Sequence, residues 1–248
     1  MGGNAPPPLA CHRPRQPPRR ARSVTPGAPC RPRVWAGVGF PGLPRNPLTT
    51  QGSIGNQVSW FEPTPSFSLA MLDAVDADPG QSVIDVGAGA SRLANALLQR
   101  GFTDITALDI TAGGLDVARR ELGPAAHQIT WIIADLLSWQ PERRYDIWHD
   151  RAVFHFLTDP AQQRRYVHTA LAALRPQGTL IIATFADDGP PSCSGLPVAR
   201  YSPAQLADTL NQHADTQLAV LDERREQHHT PWGVSQSFTW IALTRTRT

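Results

Sequence analysis

The 248 residues contain no lysine, and all 23 basic residues are arginines. The three cysteines, at positions 11, 30 and 193, are too few and too scattered for a disulfide framework or a metal-binding spacing. Such usage suits a reducing compartment, so a cytoplasmic location is expected. No stretch approaches the roughly 18 to 20 apolar residues that a membrane-spanning helix needs, so no membrane partner is expected. A hydrophobic segment of signal-peptide type is also missing. Acids are absent from one region altogether. Residues 1–50 hold eight arginines (13, 15, 19, 20, 22, 31, 33 and 45) and neither Asp nor Glu, a charge of +8. Residues 51–248 hold the other 15 arginines against 21 acids, a balance of −6. That negative balance gives no support to nucleic-acid binding.

Half of the 24 prolines also fall in the first fifty residues. Proline denies the backbone both helix and ladder hydrogen bonds, so residues 1–52 are expected to be a disordered tail ahead of a domain over 53–248. Three readings of the tail compete. A transit peptide would be rich in Arg and poor in acid, but should also form an amphipathic helix, which this sequence cannot. An arm touching nucleic acid or membrane would use the arginines on phosphates. The plainest reading is a leader without function, from a GC-rich coding sequence with an upstream start.

From residue 82 short β-branched runs alternate with helical stretches, the pattern of a mainly parallel sheet. The strands are expected at Ser82–Val86, Asp104–Ile110, Gln128–Ala134, Tyr145–Asp150 and Thr179–Phe185. Helices are expected at Ser91–Arg100, Gly113–Leu122 and Pro160–Leu174, the last with Asp159 as N-cap. Ser202-Pro203-Ala204-Gln205 repeats that start signal for a helix to about Gln212. Gln217–Glu226 and Ser235–Thr244 read as two further strands whose short connection leaves no room for a crossover helix, so they must form an antiparallel hairpin.

Val83-Ile84-Asp85-Val86-Gly87-Ala88-Gly89-Ala90-Ser91-Arg92 runs a buried strand into a Gly-x-Gly turn and a helix, where backbone N–H groups can approach a ligand. A dinucleotide fingerprint would place a third Gly at 92, where this chain has Arg. Five βα units with a terminal hairpin, an acid before the loop and this spacing together resemble the class I S-adenosylmethionine (SAM)-dependent methyltransferases. The resemblance implies an α/β fold: a Rossmann-like seven-stranded sheet with helices on both faces and an antiparallel seventh strand. It implies SAM as cofactor, held by Asp85, Gly87, Ala88 and Gly89. Asp109 would accept the ribose hydroxyls, Asp135 would meet the adenine amino group, and Ile110 and Leu136 stand beside them.

The segments SWFEPTPSFSL, YDIWHDRAVFHFL, LRPQGTLIIATF and HHTPWG resemble a group of small bacterial methyltransferases loosely related to the thiopurine and trans-aconitate enzymes, over about Val58 to Arg245. The rim outside the strand ends should carry the acceptor pocket, with Trp60, Phe61, Arg151, Phe185, His228 and Trp232 as its residues. In this resemblance Trp60 and Phe61 lid the cofactor. An acceptor protonated at neutral pH needs a base; His149 and His155 are the candidates, with Asp150 as the orienter of the imidazole. Both histidines have a structural alternative, His149 as a strand-end cap and His155 as a core residue. Arg151 and Arg200 could bind a carboxylate or form ion pairs. His228 and His229, expected in the hairpin turn, lack a third ligand, so no metal is expected. Cys193 reads as a loop residue.

Methyl transfer to an O, N or S atom of a small molecule is the favoured activity. The alternatives are a protein lysine methyltransferase, a silent SAM-binding module and a nicotinamide-dependent oxidoreductase, the last disfavoured by Arg92 and the hairpin.

Overall fold

A computed structural model describes residues 62–246 together with Met1. The expected tail, Trp60 and Phe61 lie outside the described residues. Seven strands form one sheet: β1 (Ser82–Val86), β2 (Asp104–Asp109), β3 (Ile129–Ile133), β4 (Tyr145–Arg151), β5 (Leu174–Phe185), β8 (Leu218–His229) and β9 (Ser235–Arg245). Between β5 and β8 a small separate hairpin pairs β6 (Ser192–Cys193) with β7 (Leu196–Pro197). The sheet order is β3-β2-β1-β4-β5-β9-β8. Strands β1 to β5 pair in parallel, and β9 enters antiparallel between β5 and β8. The helices are α1 (Ser66–Ala74), α2 (Leu93–Gln99), α3 (Ala112–Leu122), α4 (Pro160–Ala173) and α5 (Pro203–His213).

Local chemistry explains the helix starts. The Asp159 side chain accepts the Ala161 N–H ahead of α4, and Ser202 and Gln205 close a reciprocal capping box on α5. Three boundaries depart from expectation. Helix α2 begins at Leu93, because the Ser91 hydroxyl takes the Leu93 N–H at 3.1 Å and holds the chain in a turn. Strand β5 begins at Leu174, directly where α4 ends. Strand β8 runs on through His228 and His229, which pair with Gln236 and Ser235, so both histidines are strand residues and the turn is confined to Thr230–Val234. Residues 134–144 join β3 to β4 by turns without a helix, so one of the five expected βα units lacks its helix.

A sheet covered on both faces buries both sets of alternating side chains. In β1, Val83 joins Leu72, Leu93, Leu97 and Leu115 under α1, α2 and α3, while Ile84 joins Tyr166, Val167, Leu206 and Leu210 under α4 and α5. In β4, Ile147 and Trp148 divide in the same way. Asp85 and His149 are register partners in the parallel pair β1–β4, so both project toward the α1 side. No helix among the described residues is long and apolar enough to cross a membrane.

Candidate functional site

The loop after β1 is shaped by two glycines in the left-handed region, Gly87 at φ 67° and Gly89 at φ 48°. A Cβ on Gly87 would stand 2.1 Å from Val153 Cγ2, so this position has no room for a side chain. The Ala88 N–H donates to Leu108 O, and the Gly89 N–H donates to Asp109 Oδ2, both at 3.0 Å. Asp109 Oδ1 also accepts the Thr111 N–H and hydroxyl at 2.8 and 2.9 Å. Asp109 thus ties the glycine loop to the end of β2.

These residues open on a cavity of about 460 Å³, lined by Asp85, Gly87, Ala88, Gly89, Asp109 and Ile110 on the β1–β2 side, with Leu136 nearby. Asp135 does not line it. Its Oδ1 accepts the Leu137 N–H at 3.0 Å, making it the organiser of the turn that presents Ala134 and Leu136 to the cavity.

Toward β4 the cavity wall contains Ser68, His149, Arg151, Phe156, Phe185 and Phe238. His149 is 2 % exposed; its Nδ1 lies 2.7 Å from Asp85 Oδ1 and its Nε2 lies 3.0 Å from the Ser68 hydroxyl. The expected orienter, Asp150, is on the opposite face, since successive strand side chains alternate. There it accepts the Val153 and Phe154 N–H groups and the Tyr166 hydroxyl, and burial pushes it up to about 6 against those hydrogen bonds. Asp85 holds the imidazole instead.

His155 is not brought to the cavity. It is fully buried, its ring lies 4.8 Å from Phe185 and its Nδ1 accepts the Phe185 N–H at 3.3 Å. Burial, reinforced by the Arg151 charge, pulls it down to about 3, so it is a neutral core histidine. Of the two base candidates only His149 reaches the cavity wall.

Arg151 bonds Glu62 Oε1 at 2.8 Å, stands 3.8 Å from Glu226 and lies over the Phe238 ring at 5.0 Å. His228, 4 % exposed, is 3.3 Å from Glu62 and 3.9 Å from Glu226. Burial pushes Glu226 up to about 7, opposed by the Arg151 charge and assisted by Glu62. Burial also acts on Glu62, but the His228 hydrogen bond and the Arg151 charge outweigh it and lower the carboxyl. Glu62, Glu226 and His228 bring three potential ligand atoms within 4.8 Å of one another, yet Arg151 already supplies the positive charge there. The group is an ion-pair network in which Glu62 and Arg151 line the cavity while Glu226 and His228 do not.

Neither His228 nor Trp232, the latter 56 % exposed in the hairpin turn, lines the cavity. Arg200 donates to Gly189 O and stabilises the loop after β5. Cys193 lies on β6, is buried, and lines the cavity; burial raises its thiol. Glu62, Ser68, Glu226 and Phe238 escaped the sequence reading. Only Glu62 had a signal, its place in the SWFEP segment; the others are ordinary strand or helix residues until the chain folds.

The donor set suits SAM. The carboxylate at the end of β2 suits a ribose, and the two glycines of the loop let its backbone approach a ligand, while Arg92 in the lining is ion-paired with Glu121 at 3.3 Å. The sheet order with its single antiparallel strand is that of the class I SAM-dependent methyltransferases. Residues 83–178 match the family described as "Methyltransferase domain".

Among curated proteins, Nodulation protein S of Rhizobium tropici is 27 % identical over 117 residues, covering 47 % of this chain and 48 % of that protein. N-terminal Xaa-Pro-Lys N-methyltransferase 1 of Danio rerio is 29 % identical over 102 residues, covering 40 % and 45 %. The chain thus spans about half the length of the curated relatives it matches. Among solved structures, a Burkholderia thailandensis 1,6-didemethyltoxoflavin-N1-methyltransferase with bound 1,6-didemethyltoxoflavin and S-adenosylhomocysteine superposes with a TM-score of 0.58. It is 21 % identical, with 72 % of this chain and 76 % of that one covered. A SAM-dependent methyltransferase of Methanosarcina mazei gives 0.60 at 13 % identity, covering 76 % and 100 %.

Proposed function

We propose that the protein is a SAM-dependent methyltransferase that moves a methyl group to an oxygen, nitrogen or sulfur atom of a small-molecule acceptor. The observation that carries this reading is the single cavity in which Gly87, Gly89 and Asp109 share the lining with Arg151, Phe185 and Phe238. Asp109 would hold the ribose hydroxyls of SAM, Ile110 and Leu136 would flank its adenine, and Asp85 would face the ammonium of its methionine portion. SAM supplies a methyl group already activated by its sulfonium. The protein's contribution is alignment and the exclusion of water, which the Phe156, Phe185 and Phe238 wall provides. The small-molecule reading is supported by the substrate bound in the Burkholderia neighbour.

A second reading, methylation of a protein amine such as lysine, is favoured by the likeness to the Danio rerio N-methyltransferase. One experiment separates the readings. The full chain is incubated with methyl-labelled SAM and either a small-metabolite extract or a protein extract, and the label is followed by mass spectrometry. Label in a small molecule with release of S-adenosylhomocysteine is expected. Label in protein alone would favour the second reading, and a melting-temperature rise with NAD but not with SAM would overturn both.

A further inference from the structure

We propose that Ser68, His149 and Asp85 form a proton relay that opens on the cavity through the Ser68 hydroxyl. Its purpose rests on the methyl-transfer reading; its geometry does not. The three residues come from α1, β4 and β1, are 1 %, 2 % and 3 % exposed, and all line the cavity. Asp85 Oδ1 stands 2.7 Å from His149 Nδ1, and the Ser68 hydroxyl stands 3.0 Å from His149 Nε2. An ionised carboxylate only accepts, so Nδ1 carries the imidazole proton and Nε2 offers its lone pair to the serine O–H. That order of hydroxyl, imidazole and carboxylate is the arrangement that activates a hydroxyl.

In methyl transfer the acceptor's lone pair forms the new bond to the methyl carbon, and the sulfur–methyl bond breaks with its electron pair left on sulfur. The acceptor's proton passes to Ser68 Oγ as the Ser68 proton passes to His149 Nε2, giving an imidazolium opposite Asp85. The imidazolium then returns its proton to solvent. A hydroxyl and imidazole that served only to clip α1 onto the sheet would make the same hydrogen bonds but would not react with an electrophile.

The charged groups shown to act on the relay imidazole are Asp85 on β1, which bonds it, and Asp150 on β4; Glu226 accepts from the Trp240 indole. The Trp240 ring lies 6.0 Å from His149.

The test treats the full chain with diisopropyl fluorophosphate between pH 6 and 9 and locates adducts by mass spectrometry. The Ser68 Oγ–phosphorus bond forms as fluoride leaves with its electron pair and the serine proton goes to His149. A single adduct on Ser68 is expected, absent in Ser68→Ala and slowed about 100-fold or more in His149→Gln. Asp85→Asn, which keeps the shape but weakens the carboxylate's hold, should also slow it. An unlabelled Ser68 in the folded wild type, or indifference to His149→Gln, overturns the relay. Calorimetry of S-adenosylhomocysteine on the wild type separates the two claims. Labelling without nucleoside binding keeps the relay and removes methyl transfer, and binding without labelling does the reverse.

Discussion

A Cβ placed on Gly114 would lie 2.7 Å from the Cα of Gly89 and 3.0 Å from its carbonyl carbon, so α3 is seated directly on the glycine loop that follows β1. Backbone on both sides leaves no side chain to swing aside. Overpacking of this kind costs about 1–3 kcal/mol. Gly114→Ala is therefore expected to displace the loop and to weaken S-adenosylhomocysteine binding roughly 5- to 150-fold by calorimetry. Gly113, whose added Cβ would meet nothing within 4 Å, is the control; Gly113→Ala should leave affinity unchanged.

Asp109 is expected to carry much of the cofactor affinity. A carboxylate accepting two ribose hydroxyls makes charge-assisted bonds, and leaving them unmade costs on the order of 1–3 kcal/mol. Asp109→Ala should weaken SAM binding about 5- to 150-fold. It should also lower the melting temperature, because the same side chain takes the Gly89 and Thr111 N–H groups. Asp109→Asn, which retains one oxygen, should recover part of both. Calorimetry and thermal melts on the two variants check this, and unchanged affinity in a folded Asp109→Ala would place the ribose elsewhere.

His155 makes the fold sensitive to acid. Its folded value of about 3 lies below the 6.5 of an unperturbed histidine, so below pH 6.5 the unfolded chain binds the proton that the folded chain refuses. The stability is complete above pH 6.5 and is lost as pH falls toward 3, at about 1.4 kcal/mol per pH unit at most. His155→Gln can still accept the Phe185 N–H but cannot be protonated. Urea titrations at pH 7, 6 and 5 should show a shallower decline for this variant than for the wild type.

Removing Arg151 should expose the cost of the carboxyl groups it holds. Glu62 and Glu226 share its guanidinium at 2.8 and 3.8 Å, behind side chains that are 16 % and 3 % exposed. Arg151→Met keeps the stem over Phe238 but leaves the carboxyls without its charge. Breaking a buried pair in this way costs about 3–5 kcal/mol. The loss should shrink as pH falls from 8 to 5, because burial pushes Glu226 up to about 7 and it takes a proton over that range, and denaturation at the two pH values reads the difference.

Residues 1–50 are expected to be dispensable for folding, since twelve prolines and the absence of any acid leave little apolar surface to bury. A chain starting at residue 51 should melt within a few degrees of the full one. A collapse in melting temperature would make the segment structural.

Much of this fold is legible in the sequence because strand and helix signals are local. The run Ser82–Val86 is a strand by Val83, Ile84 and Val86, and the Asp159-Pro160 start marks α4 to the residue. The short link between β8 and β9 permits only a hairpin, so the antiparallel partner was determined by chain length alone. The Gly-x-Gly turn after β1 and the place of Asp109 at the end of β2 were legible for the same reason: a backbone turn and a strand end are properties of neighbours in the chain. Residues 134–144 misled the unit count, because a connection of turns carries no periodic signal.

What the sequence did not determine is which side chains meet. His149 and Asp150 are adjacent, and adjacency suggested that one orients the other. The sheet decides otherwise, because alternation sends Asp150 to Tyr166 and the β1–β4 register sets His149 beside Asp85. Ser68 and Glu62 reach β4 from more than 80 residues earlier in the chain, and His155 is withdrawn from the cavity by the packing of Phe156 and Phe185. Local propensity acts over a few residues, whereas a hydrogen bond depends on distances of about 3 Å that only the register of strands and the seating of helices can set.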